Sequence, residues 1–210
     1  DGSHGHEPGW PGRASLGEGL HAFRIDMFNG GGRMHLDLQW EGPGITRGSI
    51  PAKSLFYRTL RAAEDVEGLE RGLNYTYYEG TDVWKALPDF GTLRAVATEN
   101  TAYPALDVAL RPDKFALRFT GYINVPENGE YQFSTNSDDG SRLWIDDELI
   151  VDNDGQHAPQ DRFGIISLEA GLHPITIEFF EAGSGESLSI TVQAPDAPKA
   201  PLPVEWLWRK

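Results

Sequence analysis

The chain has 210 residues, 39% of them hydrophobic and 11% aromatic, with 24 glycines, 14 prolines, no cysteine and a formal net charge of -14. This composition allows a real core, excludes disulfides and thiol chemistry, and argues against nucleic acid as a partner, because phosphate binding needs a basic face. Glycine and proline scattered among short alternating runs point to an all-β sandwich rich in turns, and an acidic surface suits cations and neutral ligands. No run is long enough for a membrane span. Residues 1–10 have neither the basic start nor the apolar centre of a signal peptide, so any export signal is expected to have been removed or to lie outside this sequence.

From its start, the chain shows an internal repeat. Ser15-Leu16-Gly17-Glu18-Gly19-Leu20-His21 matches Ser167-Leu168-Glu169-Ala170-Gly171-Leu172-His173, and the same offset of 152 positions links Ile25 to Ile177, Phe28 to Phe180, Leu36 to Leu188, Pro51 to Pro203 and Leu55 to Leu207. Asp1-Gly2-Ser3-His4 matches Asp154-Gly155-Gln156-His157 with a one-residue shift. Residues 1–57 therefore read as a second copy of residues 154–209.

Residues 58–71, charged and with Leu60, Ala63 and Leu69 at helix-like spacing, read as a linker or short helix. Residues 72–79 have aromatic strand character, whereas residues 84–112 carry few strong patterns and suggest an irregular excursion over the surface. Residues 115–125 alternate strictly, a Pro126-Glu127-Asn128-Gly129 turn follows, and residues 130–135 return as the second arm of a hairpin. Leu143 and Ile145 alternate with Arg142 and Trp144. Leu149 and Val151 then alternate with Ile150 and Asp152, with turn chemistry at Asp146-Asp147-Glu148 between the two runs. Further strands are expected at 162–168, 175–180 and 188–192, with a last one ending in Trp206-Leu207-Trp208. That makes eight or nine strands from Leu73 onward. Phe115, Leu117 and Phe119 are predicted to face Tyr131, Phe133, Leu143, Ile145, Ile177 and either Phe179 or Phe180 in the core.

The densest acids lie at Asp138-Asp139-Gly140. Two adjacent carboxylates before a glycine gather oxygen ligands at a sharp turn, as a hard cation such as calcium requires, although Asp and Gly also build ordinary turns. Asp152-Asn153-Asp154-Gly155 resembles the start of a calcium loop but lacks its closing Glu, and reads as a turn. His157 and His173, with counterparts His4 and His21, have no paired-histidine metal spacing and read as structural. Asn74-Tyr75-Thr76 is a formal glycosylation sequon. The acids cluster at turns, and no GxSxG elbow, P-loop or dinucleotide fingerprint is present, so the chain reads as non-enzymatic.

Taken together, the motif order resembles the PA14 domain family. The residues that carry the resemblance are Gly72-Leu73 with Tyr77-Tyr78, Phe119-Gly121-Tyr122-Ile123, Gly129-Glu130-Tyr131-Phe133, residues 137–146, Val151-Asp152-Asn153 and Gly171-Leu172-His173 with Ile177-Glu178. The resemblance implies an antiparallel β-sandwich, complete over residues 72–210, with the C-terminal part of another copy over residues 1–57. In the sugar-binding flocculins and adhesins of that family, two consecutive Asp residues joined by a cis peptide hold calcium, helped by an Asn and carbonyls from a second loop. Asp138 and Asp139 match that pair. The second loop corresponds to residues 181–186, where Glu or Ser replaces the Asn. Glu181 is thus the third candidate metal ligand, and Ser184 and Glu186 join the Asp pair as candidate ligand-binding residues.

The expected function is a non-catalytic extracellular or cell-surface repeat module of an adhesin or filament, binding calcium and carbohydrate and polymerising through strand complementation. The alternative is a carbohydrate-binding accessory domain of a polysaccharide-active enzyme. Residues 1–57 leave Phe23, Ile25, Leu36 and Leu38 to be covered by something else. Identical or tandem PA14 repeats are the expected partners, and the chain is expected to be a window of a longer array.

Overall fold

The computed structural model describes residues 12–17, 21, 25, 36–55 and 59–210. The expectations placed on residues 1–4, Phe23 and Phe28 lie outside them. The chain divides into two compact units, Asp1–Tyr57 and Arg58–Lys210. In the first unit, β1 (Gln39–Gly42) and β2 (Ile45–Ser49) form an antiparallel hairpin, and a 3-10 turn over Ala52–Ser54 follows Pro51.

The second unit is built from β3 (Glu70–Arg71), β4 (Leu73–Glu79), β5 (Ala95–Thr101), β6 (Phe115–Val125), β7 (Gly129–Asp138), β8 (Ser141–Ile145), β9 (Glu148–Asn153), β10 (Gln160–Leu168), β11 (Gly171–Glu181), β12 (Ser187–Gln193), β13 (Ala200–Pro201) and β14 (Leu207–Arg209). One sheet runs β10-β7-β12-β13. The other runs β3-β14-β6-β11-β8-β9, with β4 pairing both β5 and β6. All the pairings between these strands are antiparallel, and the result is an all-β sandwich.

Strand period puts Phe115, Leu117, Phe119, Ile123 and Val125 of β6 on one face, and all are buried. Tyr131 and Phe133 of β7 and Ile190 and Val192 of β12 meet them from the opposite sheet, joined by Leu143, Ile145, Ile177 and Phe179. Of the two phenylalanines left open by the sequence, Phe179 enters this core. Phe180 is equally buried, but in a smaller cluster with Tyr78, Phe90 and Ala116, against which Trp84, Leu87 and Leu93 pack. The end of β11 is therefore covered on both faces, which defeats a reading based on alternation.

One local expectation is narrowed and two are corrected. Of the linker and the short helix left open for residues 58–71, the described residues 59–71 show no helix: the Arg61 and Glu64 amides donate to the Ser167 and Leu172 carbonyls (2.8 Å each), so the segment is drawn out along the ends of β10 and β11. Residues 84–112 are not wholly irregular, because Ala95–Thr101 forms β5. Its side chains are mostly exposed, and it is held by backbone pairing to β4, which leaves no apolar alternation to read. Leu149 does not share the buried face of Val151. Register slips between Leu143 and Trp144, opposing Leu143 to Val151 but Trp144 to Leu149, and the extra residue turns Leu149 outward. Among the described residues, strands β4–β14 number eleven rather than eight or nine, the additions being the weakly patterned β5 and the two-residue β13.

Gly121 marks the point where two strands share one flank of β6. β4 pairs with β6 as far as Thr120, and β14 takes over at Tyr122. A Cβ at Gly121 would lie 2.4 Å from the Trp208 carbonyl oxygen and 2.7 Å from Leu73 Cδ2, and the first of these is backbone that cannot swing aside. Gly121→Ala is expected to cost about 1–3 kcal/mol by overpacking, read as a lower urea midpoint at unchanged slope. Phe163→Ala, at a side chain 62% exposed, should stay within about 0.5 kcal/mol. Equal midpoints for the two variants would refute this account of the junction.

Candidate functional site

Three acids converge where β7 ends, β8 begins and β11 ends. Asp138 closes β7, Asp139 follows it across a cis peptide bond, and Glu181 is the last residue of β11. Each offers a carboxylate oxygen, and these oxygens lie within 4.8 Å of one another. Asp138 is half-buried, and Asp139 and Glu181 are buried.

The surrounding backbone holds the acids in place. Asp139 Oδ1 accepts from the His157 amide (3.0 Å) and Oδ2 from the Ala182 amide (2.9 Å), so this one carboxylate ties the corner to two other loops. Glu181 Oε1 accepts from the Gly183 amide (2.6 Å), while its Oε2 is buried with no hydrogen-bond partner. Gly140 allows the corner to close: a Cβ there would meet Phe180 Cε1 at 2.5 Å and the Gly155 backbone at 2.8 Å. Beneath the corner runs a buried polar chain. Ser137 and Ser141 share a hydrogen bond (2.8 Å), Ser141 donates to Thr135, and Asn153 Nδ2 donates to Ser137 and to the Gln160 carbonyl. Buried polar groups that satisfy one another in this way make the position of the corner unique.

Like charges in a poorly solvated place disfavour ionisation. Burial, then the Asp139 and Asp138 charges, push the Glu181 carboxyl up to about 7, even though the Gly183 amide favours its charged form. Asp138 is also raised, by burial first and then by Asp139, with His157 opposing. A lone buried oxygen among acids whose charge is resisted is the arrangement that an added cation relieves. Every ligand in the set is a hard oxygen, which suits calcium and not a soft transition metal.

The other sequence candidates fall outside this cluster or at its rim. Glu186 is exposed, but its charge raises both Asp138 and Glu181, which places it within electrostatic reach. Ser184 is exposed, and its amide donates to Asp113 Oδ1 (3.2 Å), an acid outside the trio. Asp113 itself was not foreseen. It lies in the loop before β6, beside a Lys114 with φ 58, and no motif singles it out. Asp152 and Asp154 form no ion loop: Arg142 pairs with both, at 3.1 and 3.0 Å, and Asp154 Oδ1 accepts from the Leu87 and Gly155 amides. His157 reaches the Ala158 and Asn153 carbonyls, and His173 sits between Asp146 and the Glu169 carbonyl, so both rings are engaged within the fold.

This architecture has known counterparts. The PA14 domain profile matches residues 69–206. The anti-sigma-I factor RsgI3 of Acetivibrio thermocellus is 27% identical over 103 residues, a match covering 49% of this chain and only 16% of that protein. The PA14 domain of the MpAFP antifreeze protein superimposes with a TM-score of 0.58 at 18% identity, covering 70% of this chain and 94% of that one. A PA14 sugar-binding domain from an RTX adhesin gives 0.56 at 16% identity, covering 67% and 99%. The profile match spans most of the sandwich, and the chain therefore belongs to the PA14 domain family.

Proposed function

We propose that the chain is a non-catalytic, extracellular or cell-surface repeat module of an adhesin or filament. In this reading Asp138, Asp139 and Glu181 bind calcium, and carbohydrate is taken at the same rim beside Ser184 and Glu186. The observation that carries it is the trio of carboxylates within 4.8 Å of one another, with the buried Glu181 Oε2 unpartnered. Calcium accepts irregular shells of six to eight oxygens, so three carboxylates can be completed by loop carbonyls, water and neutral hydroxyls. Sugar hydroxyls are donors of that kind, and the solved RTX adhesin domain of the same fold is described as sugar-binding. The non-catalytic reading is supported by Asp139, whose two oxygens already accept backbone amides. No helix among the described residues is long and apolar enough to cross a membrane. The repeat reading is supported by the offset of 152 positions in the sequence. Intact protein from its source should have a mass well above 23.2 kDa, and a mass at that value would end the array reading alone.

Calcium should raise the melting midpoint, and a chelator should reverse the effect. With free calcium about 100-fold above its Kd, the gain is expected to be about 2.7 kcal/mol. Asp139→Asn should abolish the gain, and an unmoved midpoint in the parent chain would remove the calcium reading. A glycan array run with and without calcium tests the rest: binding that is indifferent to calcium would separate the sugar site from the acids.

The pH dependence has a definite sign. In the calcium-free protein Glu181 holds its proton up to about 7, whereas the unfolded chain releases it near the ordinary value of 4.5. Its contribution is therefore fully present below 4.5 and is lost as pH rises to 7, amounting to roughly 3 kcal/mol in all. Glu181→Gln should flatten this slope in urea titrations, and the same slope in the variant would refute the assignment.

A further inference from the structure

The Asp1–Tyr57 unit repeats the local geometry of the closing part of the Arg58–Lys210 unit at the offset of 152 positions. His21 Nε2 lies 2.8 Å from the Gly17 carbonyl oxygen, and His173 Nε2 lies 2.8 Å from that of Glu169. β1 opposes Gln39 to Ser49 and Trp40 to Gly48 on β2; β12 opposes Thr191 to Pro201 and Val192 to Ala200 on β13. The 3-10 turn Ala52–Ser54 follows Pro51 (φ -63, ψ 138), as Val204–Trp206 follows Pro203 (φ -66, ψ 128).

Burial does not repeat. Leu16 is 65% exposed where Leu168 is 0%, and Leu55 is 44% exposed where Leu207 is 0%. Ile25 and Leu38 are likewise exposed, while their counterparts Ile177 and Ile190 are core. The difference lies in what covers them. In the second unit β12 adds to β7, with Thr191 opposite Ser134 and Val192 opposite Phe133, and the strands from β4 to β9 close the core. Among the described residues of the first unit, β1 pairs only with β2. The histidine shows the same gap. His173 Nδ1 lies 2.9 Å from Asp146 Oδ2 on the β8–β9 turn, which belongs to that leading part, whereas the described contact of the exposed His21 is through Nε2 alone.

We infer that the Asp1–Tyr57 unit is a docking surface for the leading strands of another PA14-type sandwich. A strand equivalent to Gly129–Asp138 adds along β1 opposite Gln39 and Trp40, its apolar face covers Leu16, Ile25, Leu38 and Leu55, and an acidic hairpin turn brings a carboxylate to His21 Nδ1. Main-chain pairing supplies the affinity of such an added strand, and the covered side chains supply its register. The inference rests on the repeat part of the proposed function and is independent of calcium and sugar.

The test extends the 210-residue chain with a copy of residues 59–153 placed ahead of Asp1. A second version also carries Leu38→Ile and Trp40→Val, matching Ile190 and Val192, so that overpacking by the larger tryptophan cannot mask docking. Hydrogen exchange of peptides covering residues 36–49 should slow by at least about 100-fold, relative to the unextended chain, in one or both versions. His21→Ala in the slowed version should return about tenfold of that protection, the loss expected for a hydrogen bond to a charged group. Exchange unchanged in both versions overturns the inference. Sedimentation of the unextended chain, with hydrogen exchange of residues 129–138, provides the second arm: a dimer lost on Leu38→Lys in which those residues stay as protected as in the monomer would place an intact second copy, and not freed leading strands, on this surface and also overturn it. Calcium titration of the same proteins reports separately on the Asp138–Asp139–Glu181 site, and the intact mass from the source reports separately on the array.

Discussion

The position of β11 between β6 and β8 is the constraint on which the second unit depends. All eleven residues of the strand are paired with β6, and Phe179 to Ile175 are paired with β8 as well. A strand held on both edges has no freedom to slip, and a one-residue slip would exchange its buried and exposed faces. Ile177 and Phe179 consequently fill the main core, while Phe180 fills the smaller cluster under Trp84 and Phe90. The strand then ends in Glu181, whose position is inherited from this packing and not from the loop that follows.

The acid corner is the same strand's electrostatic counterpart. Asp139 accepts an amide from Ala182, next along the chain from Glu181, and another from His157. The corner and the end of β11 are thereby locked together through a charge-assisted hydrogen bond, one of the stronger kinds. Burial first, and then the charges of the neighbouring acids, raise the Glu181 and Asp138 carboxyls. Fold and site are therefore in tension: the framework that positions the acids makes Glu181 and Asp138 costly when charged.

Much of this was legible because alternation survives wherever one face is wet. Phe115, Leu117 and Phe119, or Tyr131 and Phe133, announce their strands by parity alone, and Asp138-Asp139-Gly140 announces the corner by composition. The signal fails where the physics departs from a half-buried strand. Phe179 and Phe180 could not be separated because both faces of the β11 end are covered. Leu149 was misplaced by a bulge whose origin is pairing and not composition. β5 was missed because backbone hydrogen bonds, which leave no trace in side-chain pattern, hold it. Asp113 reaches Ser184 from 71 residues away, and such loop-to-loop contacts have no local signature. Residues 59–71 show the reverse case: helix-like spacing left a short helix open beside the linker reading, and the sandwich edge draws the segment out straight.

The first and last strands of the Arg58–Lys210 unit lie side by side. β3 pairs antiparallel with β14, joining Arg71 to Trp208 and Glu70 to Arg209, and the Arg71 guanidinium stacks 3.7 Å over the Trp208 ring. Tension applied along the polypeptide meets the Arg61–Ser167 and Glu64–Leu172 backbone bonds first and then reaches this pair, whose hydrogen bonds it loads in sequence instead of together. Peeling needs far less force than shearing the same number of bonds. A fold threaded in this way yields at its edges before its centre, with the eleven paired residues of β6 and β11 held in reserve.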